Sequence, residues 1–227
     1  MRKMKESRTV YFSVEGKNCE YLYFTHLQQL INNSSESEFK VKFVIKAQIG
    51  PKSLVKRIGY KPDDRDKSGK IVPYMHIQDI ENYNSQTHKE KFDNLLSEIK
   101  EVEHSYILGY SNFTFELWML LHVTNMKAPV IDRTKYLKPI NRFFNRSFSS
   151  LDEYKSEAEF QKILNDFVTL ETVKKAIERA KAIRQENEEL NRKIIINNNF
   201  KFFKDNPDTT VQDVVSRIFD LCCINYS

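Results

Sequence analysis

Three carboxylates stand where strand-like segments end. Glu15 follows the β-branched and aromatic run Thr9–Val14, and Asp79 and Glu81 lie in HIQDIEN at 76–82. In an open, mainly parallel α/β sheet, ligands gather outside the carboxyl ends of the strands. If the first and third strands are neighbours, the three acids converge at one edge, where their repulsion favours a bound cation. Oxygen ligands without Cys or His suit Mg²⁺ or Mn²⁺. An ion held by a few carboxylates keeps positions open for phosphate oxygens. Two such ions can activate a water and stabilise the leaving oxygen of a phosphodiester. Glu20 lies about one helical turn beyond Glu15 and could reach the same edge, and Gly16 lets backbone approach closely there. Read singly, each acid is a cap or a surface charge; their joint placement points to a metal.

Competing chemistries lack their residues. The chain has no GxxxxGK[ST], no GxGxxG and no GxSxG, so neither a phosphate-cradling loop nor a serine elbow is present. The five histidines are scattered. His76 reads as a strand residue, His26 as helical, and His122 as a packed residue closing an apolar helix. The cysteines Cys19, Cys222 and Cys223 form neither a disulfide framework nor a zinc motif.

A second feature is electrostatic. Lys127–Arg146 holds six basic residues and one acidic residue. Within it Lys135, Lys138, Arg142 and Arg146 alternate with Tyr136 and Phe143. Basic side chains neutralise phosphates and exposed aromatics stack on unpaired bases, so these six residues are candidates for nucleic-acid binding. The alternative is a solvated connection whose aromatics face the core.

The elements that must position these groups alternate. Strands are expected at Thr9–Val14, Lys40–Lys46, Ile71–Ile77 (interrupted by Pro73) and Ser105–Leu108. Helices are expected from Asn18 to about Ile31, after Gly50-Pro51, over Thr87–Val102 and over Phe113–His122, with Lys61–Lys70 a charged loop. That alternation is the pattern of an α/β domain with a mainly parallel sheet flanked by helices. Beyond it the chain reads as helical over Leu151–Phe167 and Leu170–Leu190, the latter with Glu171/Lys175 and Lys174/Glu178 pairs. Ile194–Ile196 is ambiguous. Thr210 with Asp213 resembles a capping box for a last helix. The expected organisation is a core at 1–126, a basic connecting segment at 127–150 and a helical C-terminal part at 151–227 packing on the core.

The 227 residues are 40% hydrophobic and 30% charged with a net charge of +5, an ordinary globular composition that leaves enough chain for a real core. No apolar run approaches the ~20 residues that span a bilayer, and the basic start is followed by no apolar signal segment. Sparse, unpaired cysteines fit a reducing compartment. The expectation is a cytoplasmic protein with no membrane partner.

Four segments together resemble RloB-like proteins: VEGKNCEYLYF at 14–24, HIQDIEN at 76–82, LGYSNFTFELWMLLH at 108–122 and NPDTTVQDVV at 206–215. The resemblance spans nearly the whole chain, and the third segment is its most specific part. It implies a Toprim-like α/β core in which Glu15 takes the first glutamate position, and Asp79 and Glu81 take the acidic pair. Glu20 matches a further acidic position, and Ser111, Asn112 and Glu116 match the SN and FELW motif. Two departures stand out: the DxD pair is DxE here, and Phe113-Thr114 replaces the usual Pro-Cys after SN. The resemblance further implies Mg²⁺ or Mn²⁺, a nuclease acting on RNA such as tRNA or on DNA, and an anti-phage locus with an AAA/ABC-type ATPase partner. A homo-oligomer is also compatible with it. Alternatives are a non-catalytic module that binds nucleic acid and the ATPase, and a primase-like transferase, against which the missing nucleotide motif weighs.

Overall fold

The computed structural model describes residues 5–59, 74–102 and 106–226. In chain order the elements are β1 (Ser7–Val14), α1 (Cys19–Asn33), β2 (Lys40–Ala47), α2 (Pro51–Ile58), β3 (Tyr74–Asp79), α3 (Gln86–Glu101), β4 (Tyr106–Asn112) and α4 (Glu116–Leu121). A 3₁₀ turn (Arg133–Tyr136) leads into α5 (Leu137–Phe143), α6 (Leu151–Tyr154), α7 (Glu157–Phe167) and α8 (Leu170–Glu189). The chain ends with β5 (Ile194–Asn197), β6 (Phe200–Phe203), β7 (Asp208–Thr209) and α9 (Val211–Cys222).

The five-stranded sheet runs β2-β1-β3-β4-β7, and β5 pairs with β6 in a separate hairpin. The pairs β1–β2, β1–β3 and β3–β4 are parallel, whereas β7 is antiparallel to β4. This is a mixed α/β fold with a mostly parallel sheet. From β1 the chain goes outward to β2, then crosses back over β1 to β3. The strand order therefore reverses between β1 and β3, the crevice where ligands collect in such sheets.

Parallel strands covered on both faces need near-continuous apolar sequence. β3 meets this, with Tyr74, Met75, His76, Ile77 and Gln78 all buried, and in β1 Val10, Phe12, Ser13 and Val14 are fully buried. One face is packed by Tyr23, Phe24, Leu27 and Ile31 of α1 together with α4 and α7–α9. The other face is packed by Phe92, Leu95, Leu96 and Ile99 of α3, a helical i, i+3, i+4, i+7 stripe, and by Phe202. Gly109 lets α9 lie close against β4. A Cβ there would come within 2.8 Å of Ile77 Cδ1 and 3.3 Å of the Val211 backbone.

The chain beyond residue 126 builds on this core. The 3₁₀ turn and α5 bury Tyr136, Ile140 and Phe144, so the basic segment is folded onto the core. The C-terminal part is not purely helical: it contributes the hairpin and the edge strand β7. A triad of Tyr110, Arg184 and Asp208 holds that edge. Arg184 donates to Asp208 Oδ1 at 2.9 Å and to the Tyr110 hydroxyl at 2.8 Å, and the same hydroxyl donates to Asp208 Oδ2. Burial pushes the Asp208 carboxyl up to about 6.

Several expectations are corrected in detail. Leu151–Phe167 is two helices, broken at Lys155-Ser156, and the Phe113–His122 helix shortens to Glu116–Leu121 because β4 runs on to Asn112. The Thr210 capping box does not form. Its hydroxyl donates to Leu108 O at 2.8 Å and accepts from Tyr110 N at 3.1 Å, so it ties α9 to β4 instead. Asn18 precedes α1 without capping it. Glu171 pairs with Lys175 at 2.5 Å, but Lys174 reaches Glu36 rather than Glu178. The charged loop Lys61–Lys70 and Pro73 lie outside the described residues. Among the described residues, no helix is long and apolar enough to cross a membrane.

Candidate functional site

The β1–β3 crevice holds four carboxylates. Glu15, Glu20, Asp79 and Glu116 line one cleft of about 210 Å³, together with Gly16, Cys19, Phe115 and Lys155. The elements explain the convergence. Glu15 leaves the end of β1, Asp79 ends β3, Glu20 sits in the first turn of α1, and Glu116 opens α4. The Glu20 carboxylate fills the space a side chain at position 16 would occupy, so a larger residue there would push that carboxylate aside.

Glu15 is held from below by a buried relay. Gln78 donates to Glu15 Oε2 and, at 3.1 Å, to Asp79 O. Its Oε1 is thereby left to accept from His76 Nε2–H at 3.2 Å. His76 Nδ1 then accepts from the Ser13 hydroxyl at 2.7 Å. Burial lowers the His76 pKa to about 4, so the ring is neutral and its tautomer follows from the chain of donors. The Asp79 amide also donates to Glu15 Oε2, at 3.0 Å.

Glu20 and Glu116 are buried, at 5% and 2% exposure. Burial raises the Glu20 carboxyl to about 7, its own backbone amide opposes the shift, and the charge of Glu116 adds to it. Asp79 is driven well above the carboxylate range by burial, then by Glu20, Glu15 and Glu116. Burial and the same acids push up the Cys19 thiol, so it is not a nucleophile at neutral pH.

Two lysines answer these charges. Lys155 lies 2.8 Å from Glu116 Oε1, and Lys91 pairs with Glu15 Oε1. Burial works against the charge on Lys155, but Glu116 and Asp79 outweigh it and its pKa rises. Even so, Asp79 Oδ1 and Glu116 Oε2 are buried without a hydrogen-bond partner. Among the described residues, no three His, Cys, Asp or Glu side chains are arranged to hold a metal ion.

Glu81 does not join the cleft. Residues 79 and 81 of one strand would share a face, but β3 ends at Asp79 and Glu81 takes a left-handed conformation (φ 54°). Its side chain turns into a neighbouring pocket, 2.7 Å from His88 Nε2 and 3.7 Å from Arg133. Ser111 and Asn112 serve the sheet edge instead. Ser111 meets the Thr209 hydroxyl at 3.3 Å, and Asn112 donates to Phe203 O and Lys204 O.

The basic segment divides. Lys135, Lys138 and Arg142 are exposed. Arg146 pairs with Asp166 at 2.6 Å and lies over Phe167. Tyr136 is only 1% exposed and cannot stack on a base. Phe143 packs against the core, with the Arg142 guanidinium 5.1 Å from its ring centroid. The apolar residues of α5 and the 3₁₀ turn are drawn inward by the same burial that folds the segment. Sequence reasoning missed Lys91 and Lys155. Neither adjoins a motif, and Lys155 comes from a helix break far along the chain.

The fold and site define an α/β protein with an acidic cleft at the switch point of its parallel sheet. The sequence model of the RloB-like protein family matches residues 10–218, and the chain belongs to that family. No curated protein and no solved structure matches it.

Proposed function

We propose that this protein is a divalent-metal-dependent nuclease of Toprim type, cleaving phosphodiesters of RNA such as tRNA, or of DNA. The observation that carries the reading is the convergence of Glu15, Glu20, Asp79 and Glu116 in one cleft at the β1–β3 switch point. The orphaned oxygens Asp79 Oδ1 and Glu116 Oε2 fit a cation or the waters it carries. Magnesium is commonly bound through one or two carboxylates plus water and substrate phosphate, so a closed protein cage is not needed. Glu15 and Asp79 would hold the ion, with Glu20 and Glu116 beside them. When bound, such an ion lowers the pKa of a water and offsets charge on a phosphodiester. The Gln78–His76–Ser13 relay fixes the direction of the Glu15 carboxylate, and Lys155 pairs with the buried Glu116 at 2.8 Å. Family resemblance supports a role as effector in an anti-phage system with an AAA/ABC-type ATPase, acting in the cytoplasm.

The ion pairs of Lys91 and Lys155 favour a second reading, because they balance two of the acids without a metal. In that reading the protein is a non-catalytic module that binds nucleic acid and the ATPase. Incubation of single-stranded RNA, tRNA and duplex DNA with Mg²⁺ or Mn²⁺ separates the two. Cleavage by the wild type that is lost in Glu15→Gln/Asp79→Asn is the expected result. Binding without cleavage, in the presence of the ATPase as well as alone, leaves the second reading.

A further inference from the structure

Next to the acidic cleft lies a pocket of about 420 Å³, lined by Arg133, Thr134, Leu137, Ser149, Ser150, Leu151, Asp152 and Lys155. Its size falls within the range of small-ligand sites, roughly 300–1,000 Å³. Lys155 lines this pocket and the acidic cleft alike, so the two adjoin at that side chain. Arg133 likewise lines this pocket and the one that holds Glu81 and His88. The three hollows therefore neighbour one another, each pair sharing one basic side chain.

The lining has a definite chemistry. Two cations and one carboxylate, Asp152, line it, and the acid partners of those cations, Glu81 and Glu116, lie in the adjoining hollows. The Arg133 side chain is 60% exposed and lies 3.7 Å from Glu81, a loose contact that leaves its planar fork accessible. Lys155 is 33% exposed, and its pairing with Glu116 uses part of its donor capacity. Ser150 Oγ accepts from Glu153 N at 3.2 Å, which leaves its O–H as a donor. Leu137 and Leu151 supply apolar surface for a sugar or base edge, and Asp152 supplies an acceptor suited to a ribose hydroxyl.

We infer that this pocket seats one nucleotide, with its phosphate between Arg133 and Lys155 and its base against Leu137 and Leu151. The nucleotide comes either from the strand whose neighbouring phosphodiester lies in the acidic cleft, or from a free nucleoside phosphate. The strand source rests on the nuclease reading. The pocket itself is tested without it.

The test uses the full chain in EDTA, where no cleavage occurs. Binding of adenosine 5′-monophosphate is measured by calorimetry, and binding of a labelled single-stranded RNA octamer by anisotropy. Inorganic phosphate serves as the control for simple anion binding. Arg133→Gln removes one charge-assisted contact and should weaken both ligands about tenfold, flattening the log–log salt slope for RNA by about one. Thr134→Trp, at an exposed position on the rim, should block both while the far-UV circular dichroism stays that of the wild type. Displacement of RNA by the monophosphate assigns the pocket to the strand. Monophosphate binding that is sensitive to Arg133→Gln but does not displace RNA assigns it to a free nucleotide. Equal affinities for both ligands in wild type and both variants overturn the inference. A protein that never cleaves but loses monophosphate binding in Arg133→Gln fails the nuclease reading and keeps the pocket.

Discussion

Lys155→Met tests what holds the acidic cleft together. The variant keeps the aliphatic stem and removes the ammonium group 2.8 Å from Glu116, a carboxylate that is 2% exposed. At an effective dielectric of about 20 the pair is worth roughly 6 kcal/mol of gross Coulomb energy. Lys155 is one-third exposed, so solvent screens part of this. Removing one partner of a buried pair costs about 3–5 kcal/mol, and the low end is expected here. For a chain of this size, about 3 kcal/mol corresponds to a fall in Tm of roughly 6–12 °C. Thermal melts at pH 8 in EDTA measure it. Lys162→Met, which breaks the exposed pair with Glu159, is the control and should cost under about 1 kcal/mol. Adding Glu116→Gln to Lys155→Met should recover most of the loss, because the stranded charge is then gone. Mg²⁺ at about ten times its Kd should return roughly 1.4 kcal/mol to Lys155→Met. A fall in Tm no larger than that of Lys162→Met would refute the reasoning, because the buried Glu116 would then not depend on Lys155.

Further outcomes follow from the same geometry. Glu20 is pushed from 4.5 to about 7, so ionising it costs folding free energy as pH rises through that window. In EDTA, Glu20→Gln should match wild type near pH 4.5 and exceed it by up to about 3 kcal/mol at pH 8; denaturant titrations at both pH values check this. Burial holds His76 and His122 near 4, so their contribution runs the other way: it is present above 6.5 and lost as pH falls towards 4. That opposition is why the mutant difference, rather than the wild-type profile, is the quantity to measure. Under the proposed nuclease reading, Gln78→Leu cuts the relay and should lower kcat about tenfold with KM little changed; a change confined to KM would place Gln78 in binding rather than positioning. Lys135→Ala/Lys138→Ala/Arg142→Ala should flatten the salt dependence of RNA binding by about two log–log units, whereas Arg146→Ala, already paired with Asp166, should change it little.

The parallel α/β core was legible because its signals are local. The TVYFSV run, the Phe92–Ile99 stripe and the acids at strand ends each announce themselves within a few residues. Adjacency of β1 and β3, on which the cleft depends, was assumed from the pattern and is present in the pairing of Val14 with Ile77. Glu81 falls outside the cleft because the chain turns left-handed after Asp79, a turn that its position after the strand does not announce. Tyr136 was misread because interleaving with basic residues looks the same whether an aromatic faces solvent or core. Lys91 and Lys155 were invisible for a deeper reason. A counter-charge is defined by what it meets in space, and no local spacing links residue 155 to residue 116.

Those two lysines sharpen the choice between the functional readings. Four acids in one crevice must be neutralised by protons, by internal cations or by an external ion. Burial and mutual repulsion raise the Glu20 and Asp79 carboxyls, which favours protons on part of the cluster, and Lys91 and Lys155 balance another part. Neither reaches Asp79 Oδ1 or Glu116 Oε2. A purely structural cleft would gain by replacing those acids with apolar residues of similar size, because buried ion pairs seldom stabilise more than good packing. Four carboxylates at the position where α/β sheets bind ligands are thus what the proposed reading needs, in which protons and lysine contacts give way to a cation carrying a phosphate.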